Sequence, residues 1–98
     1  MIPFVVTPAA ADDLQKIDER LVEDSHAAAE RVSIAIETAM ARLADHPMLG
    51  HVRTDLTSRP YRFWSVYSYL IVYQPVPAPI RIIRVLHGAR DLPEFLKS

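Results

Sequence analysis

Residues 59–75 read R-P-Y-R-F-W-S-V-Y-S-Y-L-I-V-Y-Q-P, and residues 80–91 read I-R-I-I-R-V-L-H-G-A-R-D. β-Branched and aromatic residues dominate both segments, which is typical of strands, and the prolines of residues 75–79 form a stiff connection between them. Gly88 breaks the last run, so polar residues gather just after it, where a small domain often keeps its function. We predict strands at Tyr61–Val66, Tyr69–Gln74 and Ile80–Leu86.

The last two predicted strands are apolar on both faces. Leu70 and Val72 alternate with Ile71 and Tyr73, while Ile80 and Ile82 alternate with Ile83 and Val85. A strand with one solvated face would instead alternate apolar with polar residues. Helices upstream can cover one face, so we expect a curled sheet edge, a second copy or a different protein to cover the other. The alternative is a sheet that is twisted enough to bury both faces.

A short strand and two helices precede this sheet. Residues 4–7 read as the strand, and Thr7 followed by Pro8 is a helix-start signal. Apolar residues at helical spacing extend the first helix to about Asp24, and Ser25 can cap a second helix directly. The second helix ends at residues 46–50, where a proline and a glycine occur.

These elements predict an α+β fold in which an N-terminal strand and an αα-hairpin pack on one face of a mainly antiparallel sheet. We also expect a short strand or extended arm at His51–Asp55 and at most a short terminal helix at Asp91–Leu96. A length of 98 residues suits a single domain, 1–98, and no linker or repeat divides it.

Composition excludes several classes of function. The chain has no cysteine, which removes thiolate catalysis and disulfides and fits a reducing cytoplasm. The N-terminal stretch lacks the pattern of a signal peptide, and no run approaches the roughly 20 apolar residues of a membrane span. We therefore expect a cytoplasmic protein with no membrane partner.

The charges are divided between the two halves of the chain. Residues 1–50 carry nine acidic against four basic side chains, a balance of −5, whereas residues 51–98 carry three against seven, a balance of +4. The sheet half is therefore basic, and nearly all of its bases are arginines, which suit bidentate contacts and interfaces. The overall net charge of −1 argues against generic nucleic-acid binding.

His87, Arg90 and Asp91 are the strongest catalytic candidates. An imidazole can transfer protons near neutrality, and a guanidinium can neutralise the charge that develops on a phosphate. In the structural alternative, Asp91 caps the terminal helix, Arg90 pairs with a carboxylate and His87 bonds a backbone group. We expect no metal and no cofactor, because the other histidines lack ligand spacing and the chain has only two glycines for a phosphate loop.

Trp64 is the only tryptophan of the chain. By strand alternation it shares a face with Arg62 and lies opposite Phe63. If Phe63 faces the helices, Trp64 and Arg62 belong to the open face, where such a pair would favour an interface. In the alternative, Trp64 belongs to the core and Phe63 lies outside.

The order of these elements and several local strings resemble the ParE/RelE superfamily of type II toxin–antitoxin toxins. The likeness spans nearly the whole chain, and the closing V-L-H-G-A-R-D is typical of the ParE-like branch. The strings are Arg42-Leu43 through Pro47 and Gly50, Tyr61-Arg62-Phe63-Trp64, S-Y-L-I-V-Y at 68–73 and R-V-L-H-G-A-R-D at 84–91.

The resemblance implies one of two activities, since RelE-like members cleave messenger RNA on the ribosome and ParE-like members block DNA gyrase. The ribonucleases use a basic cluster with a tyrosine on the open sheet face. Arg62 and Arg90 match that cluster, and His87 keeps a catalytic route open. Its other positions are occupied here by Trp64, Leu70 and Leu96. The net charge of −1 also suits the anionic ribosome poorly, so a gyrase inhibitor is favoured over an endoribonuclease that uses His87, Arg90 and Arg62.

The resemblance also implies a cognate antitoxin, a DNA-binding module whose helical tail would cover the open sheet face. Direct nucleic-acid binding by the toxin is not expected. A protein with weak or no toxicity that serves only complex formation is a further alternative. Candidate contacts with the target or the antitoxin are Arg62, Trp64, Leu70, Val72, Arg84, His87 and Arg90.

Overall fold

A computed structural model describes residues 4–97 of the chain. Residues 1–3, which belong to the N-terminal stretch considered above for a signal peptide, and residue 98 lie outside the described residues. The elements are β1 Val5–Val6, α1 Pro8–Asp24, α2 His26–Asp45, β2 His51–Val52, β3 Arg62–Val66, β4 Tyr69–Gln74, β5 Arg81–His87 and α3 Gly88–Leu96.

The five strands form one sheet in the order β1-β5-β4-β3-β2. Only β1 and β5 pair in parallel, and the other neighbours are antiparallel. The predicted α+β architecture is therefore confirmed, including the N-terminal strand, the αα-hairpin and the short C-terminal helix.

Local capping sets the bounds of the hairpin helices. The Thr7 hydroxyl accepts the Ala10 N–H at 3.2 Å and donates to the Ile82 carbonyl at 2.9 Å, so the same side chain starts α1 and ties it to β5. Ser25 alone separates the helices, and its hydroxyl accepts the Ala28 N–H at 3.1 Å. The predicted start of the first helix, its end at Asp24 and the direct cap of the second helix are confirmed.

A β-bulge changes the face of the sheet on which successive β5 side chains lie. Val72 pairs with Arg84 and Tyr73 with Ile82, so Ile83 is an extra residue in β5. Beyond the bulge the alternation is reversed, and Val85 joins Ile82 in the core beneath the hairpin while Ile83 lies in the opposite cluster. The simple alternation predicted for this strand was therefore wrong for Val85.

The second face of the sheet is covered by the chain itself. Phe63, Val72 and Leu86 are buried there, with Leu92 and Phe95 of α3 packed against them. Gly88 opens this helix instead of only ending the strand, so α3 begins three residues before the predicted Asp91 and is long enough to lie on the sheet. The expectation that a curled sheet edge, a second copy or a different protein covers this face was therefore wrong for Phe63, Val72 and Leu86, which α3 covers.

A buried tyrosine holds the loop after α2 against the sheet. The Tyr73 hydroxyl donates to the Pro47 carbonyl at 2.7 Å and accepts the Gly50 N–H at 2.8 Å. Arg62 adds a donated bond of 2.8 Å to the Gly50 carbonyl. Burial raises the pKa of Tyr73, which keeps the phenol protonated and able to donate.

Replacing Tyr73 by phenylalanine is expected to lower the free energy of unfolding by about 1–3 kcal/mol, because it leaves the Gly50 N–H and the Pro47 carbonyl without their partner. Urea titration followed by circular dichroism measures this loss. Tyr67→Phe is the matched control, since Tyr67 is 63% exposed. Equal stability of the two variants would contradict the role assigned to the Tyr73 hydroxyl.

Within residues 4–97 the structure has no helix that is both long and apolar enough to cross a membrane.

Candidate functional site

The candidate contact residues predicted from the sequence do not lie on one surface. Arg62 and Trp64 lie on the side of the sheet that the α1–α2 hairpin covers. Their partners in β4, Tyr73 and Ile71, belong to the core on that side. Leu70 and Val72 belong to the opposite cluster, beneath α3. Val72 is 0% exposed, so it is not available for a contact while α3 stays in place.

Trp64 is half-buried at the edge of the hairpin side. Its ring stacks on His51 with centroids 6.1 Å apart, and the Arg42 guanidinium lies 5.9 Å from the ring centroid. Phe63 is buried on the opposite face instead of facing the helices. The condition for placing Trp64 and Arg62 on an open face is therefore not met. Trp64 packs against the main core as in the alternative, but Phe63 is buried and not outside as that alternative had it.

Two carboxylates close the outer edge of β5 where β1 no longer pairs with it. Asp13 of α1 accepts hydrogen bonds from Arg84 Nε at 2.7 Å, Arg84 Nη2 at 2.9 Å and the Val85 N–H at 2.9 Å. Asp91 of α3 accepts the next outward amide, the His87 N–H, at 2.9 Å. The two carboxylates therefore accept the backbone N–H groups with which a neighbouring strand would otherwise pair.

His87 is the N-cap of α3. Its Nδ1 accepts the Arg90 N–H at 3.2 Å, and its ring meets Tyr69 edge-on with centroids 5.7 Å apart. Arg90 Nε donates to Asp91 at 3.2 Å. Partial burial opposes ionisation of Asp91, but the bonds from the His87 N–H and Arg90 outweigh it and hold the pKa of Asp91 below its usual value. The structural roles predicted for His87 and Arg90 are confirmed, but the helix cap is His87 and not Asp91.

A charged cleft of about 330 Å³ lies beside this edge, between α1 and α3. Its cations are Lys16, Arg20, Arg84 and Arg90. Three of these pair with nearby carboxylates, whereas Arg20 has no hydrogen bond or ion pair within the described residues. The cleft is therefore a place where a partner could present an acidic group.

A family model for the ParE toxin of the type II toxin–antitoxin system parDE matches residues 4–92. The chain belongs to this ParE toxin family. The match covers every element of the sheet, so the family resemblance seen in the sequence is confirmed. Among curated proteins no match to this toxin was found.

The three residues that a nuclease mechanism would use do not converge in the toxin. His87 pairs with Tyr69 at one end of β4, and Arg62 pairs with Tyr73 at the other end, with β4 lying between their strands. Four residues along a strand span roughly 13 Å, and two strand spacings add about 10 Å across the sheet. Arg62 is therefore remote from His87 and Arg90. Within residues 4–97 no cluster of three or more His, Cys, Asp or Glu residues could hold a metal ion.

Sequence reasoning missed three residues of the toxin that organise these surfaces. The sequence analysis assigned no role to Asp13, whose partner Arg84 is 71 positions away. No feature of the sequence near Arg42 predicts its contact with the ring of Trp64. Tyr73 was read only as a strand residue and not as a loop anchor. The available signal was Arg84, which lies between apolar residues of β5 and needs an acidic partner near the core.

Proposed function

We propose that this toxin inhibits DNA gyrase by binding it and that a cognate antitoxin neutralises the toxin. The observation that carries the proposal is that His87 and Arg62 are engaged in contacts within the fold and lie at opposite ends of the sheet. Membership of the ParE toxin family supports the same choice.

Cleavage of RNA needs a base and a charge stabiliser within a few ångströms of one phosphate. His87 uses the Nδ1 lone pair to cap α3, and Arg62 donates to a loop carbonyl at the far end of the sheet. Leu70 and Trp64 add no charge where the ribonucleases of the superfamily carry basic groups. These features favour a toxin that acts by binding over one that acts by cleavage.

The charged cleft between α1 and α3 is the surface that best suits a protein target. Arg20 and Arg90 are exposed on it and lie on different elements. A pair of arginines in this arrangement can grip acidic side chains on a partner. We assign the gyrase contact to this cleft, with Arg84 held rigid behind it by Asp13.

The test is a plasmid supercoiling assay with purified gyrase and purified toxin. Wild-type toxin should inhibit supercoiling, and Arg20→Glu or Arg90→Gln should raise the half-inhibitory concentration by about tenfold or more, because interface charges lose favourable contacts. Arg31→Glu is the control, since Arg31 lies on the outer side of α2 beside Ile34. Melting curves of all variants exclude a loss of fold.

A translating ribosome reaction with a defined messenger supplies the opposing arm of this test. The messenger should stay intact when toxin is added. Ribosome-dependent cleavage that His87→Ala abolishes, with no effect of the toxin on supercoiling, would overturn the proposal in favour of an endoribonuclease.

A further inference from the structure

The turn between β3 and β4 holds a tyrosine in a backbone conformation that tyrosine rarely adopts. Val66 pairs with Tyr69, so Tyr67 and Ser68 form a two-residue loop. Tyr67 has a φ of 54°, and within residues 4–97 no other residue has a positive φ. Hairpin turns of this length favour glycine, asparagine or aspartate at such a position, because a bulky side chain crowds the left-handed backbone. Tyr67 is therefore not the residue that suits the turn best.

The side chain of Tyr67 gives the fold no return for this strain. It is 63% exposed, the largest exposed fraction among the exposed large apolar and aromatic residues of the described chain. Its ring belongs to neither apolar core cluster, and its hydroxyl forms no hydrogen bond within residues 4–97. Strain of this kind persists mainly where a residue serves binding or catalysis. The strain and the exposure of Tyr67 thus both indicate a contact outside the fold.

The start of α3 holds the turn in place. The Gly88 N–H donates to the Ser68 carbonyl at 3.0 Å. Next to this bond Tyr69 pairs with His87, and their rings meet edge-on with centroids 5.7 Å apart. The backbone beside Tyr67 is therefore fixed before a partner binds. A tyrosine on a fixed backbone loses little conformational entropy when it is buried in an interface.

The position of the turn indicates which partner Tyr67 meets. Arg90 of the charged cleft follows Gly88 by two residues, and both Arg90 and Tyr67 are exposed. The hydrogen bond from Gly88 to Ser68 and these few residues of chain keep Tyr67 within about 20 Å of Arg90. An ordinary interface covers about 800 Å² on each partner, which is wider than this distance. A protein bound to the cleft therefore reaches the turn.

We propose that Tyr67 is a contact residue for the target, and that its ring enters an apolar pocket on gyrase while the cleft binds acidic groups. The inference rests on the gyrase part of the function proposed above. Tyr67 supplies the apolar contact, and Arg20 and Arg90 supply the charged contacts. Tyrosine and arginine are among the residues that contribute most of the binding energy of protein interfaces. The left-handed conformation of Tyr67 then has a physical reason, because it belongs to a turn that leaves the ring free for a partner.

The experiment separates binding from folding at this one position. Asparagine tolerates the left-handed region, so Tyr67→Asn should melt at the wild-type temperature or above it. In the supercoiling assay the same variant should raise the half-inhibitory concentration by about tenfold or more, because it removes the ring. Tyr67→Phe keeps the ring and should raise it by only about threefold, through loss of the hydroxyl.

Val76→Asn is the matched control for this experiment. Val76 is 53% exposed and follows the opposite end of β4, so the change removes an exposed apolar side chain far from the turn. This variant should inhibit gyrase as the wild type does. Salt supplies a second readout: the loss for Tyr67→Asn should persist at high ionic strength, whereas the loss for Arg20→Glu should shrink because charges are screened.

The outcomes distinguish this inference from the function on which it rests. Inhibition by Tyr67→Asn at the wild-type level would overturn the Tyr67 contact and leave gyrase inhibition intact, and so would a variant that loses only its affinity for the antitoxin. A melting temperature that falls together with inhibition would show that Tyr67 serves the fold and would also overturn the contact. Failure of the wild-type toxin to inhibit gyrase would overturn both proposals.

Discussion

Ending the chain at Asp91 is expected to remove most of the stability of the toxin. The truncation deletes Leu92 and Phe95, which cover Phe63, Val72 and Leu86 on the second face of the sheet. Loss of a fully buried leucine or phenylalanine costs about 2–5 kcal/mol. Leu92 and Phe95 are half-buried and contribute less each, but their removal also uncovers Phe63, Val72 and Leu86. Because a domain is typically stable by only about 5–15 kcal/mol, we expect the truncated chain to unfold or aggregate.

Size-exclusion chromatography and circular dichroism of the truncated chain measure this effect directly. Phe95→Ala gives a graded version, for which we expect a loss of about 2–4 kcal/mol, since Phe95 is only half-buried. Leu96→Ala is the control, because Leu96 is 40% exposed and should contribute little. A truncated chain that is monomeric and melts at the wild-type temperature would show that α3 is dispensable for folding.

Replacing Asp13 by alanine is expected to lower the free energy of unfolding by about 2–4 kcal/mol. The change removes the acceptor of two bonds from Arg84 and of the Val85 N–H. The side chains of Asp13 and Arg84 are 12% and 34% exposed. Without Asp13, Arg84 would be left as a partly buried cation that has lost its partner. Breaking a buried pair on one side costs more than the pair contributes as a whole.

Asp12→Ala is the neighbouring control for this prediction. Asp12 pairs with Lys16 at 2.9 Å, but both side chains are largely exposed and solvent screens the pair, so the loss should be much smaller than for Asp13→Ala. Chemical denaturation of the two variants and of Asp13→Leu combined with Arg84→Leu completes the comparison. The double variant should recover part of the loss, since it no longer leaves an unpaired charge. Similar losses for Asp13→Ala and Asp12→Ala would contradict the role of Asp13.

Elements with local signals could be predicted from the sequence. The bounds of α1 follow from Thr7, Pro8 and Ser25, which lie next to the helix ends that they determine. The β3–β4 hairpin follows from the two apolar runs on either side of Tyr67-Ser68. Each of these signals acts over a few residues, so the chain shows them without reference to its tertiary structure.

The sequence does not display the information that decides on which face of the sheet a side chain lies. One extra residue at Ile83 moves Val85 to the other side of the sheet. Burial of Phe63 beneath α3 reverses the side assigned to Trp64. Sequence analysis therefore identified the family, but it did not show on which face several of these side chains lie.

The carboxylates at the edge of β5 have a consequence for the toxin in the absence of its antitoxin. An exposed strand edge is a template on which further strands can assemble, which leads to aggregation. Here Asp13 and Asp91 already occupy the outward N–H groups of Val85 and His87. At these two amides a toxin released from its complex offers no free N–H with which another copy could pair. The capped amides therefore oppose strand-by-strand assembly of the free protein at this edge of β5.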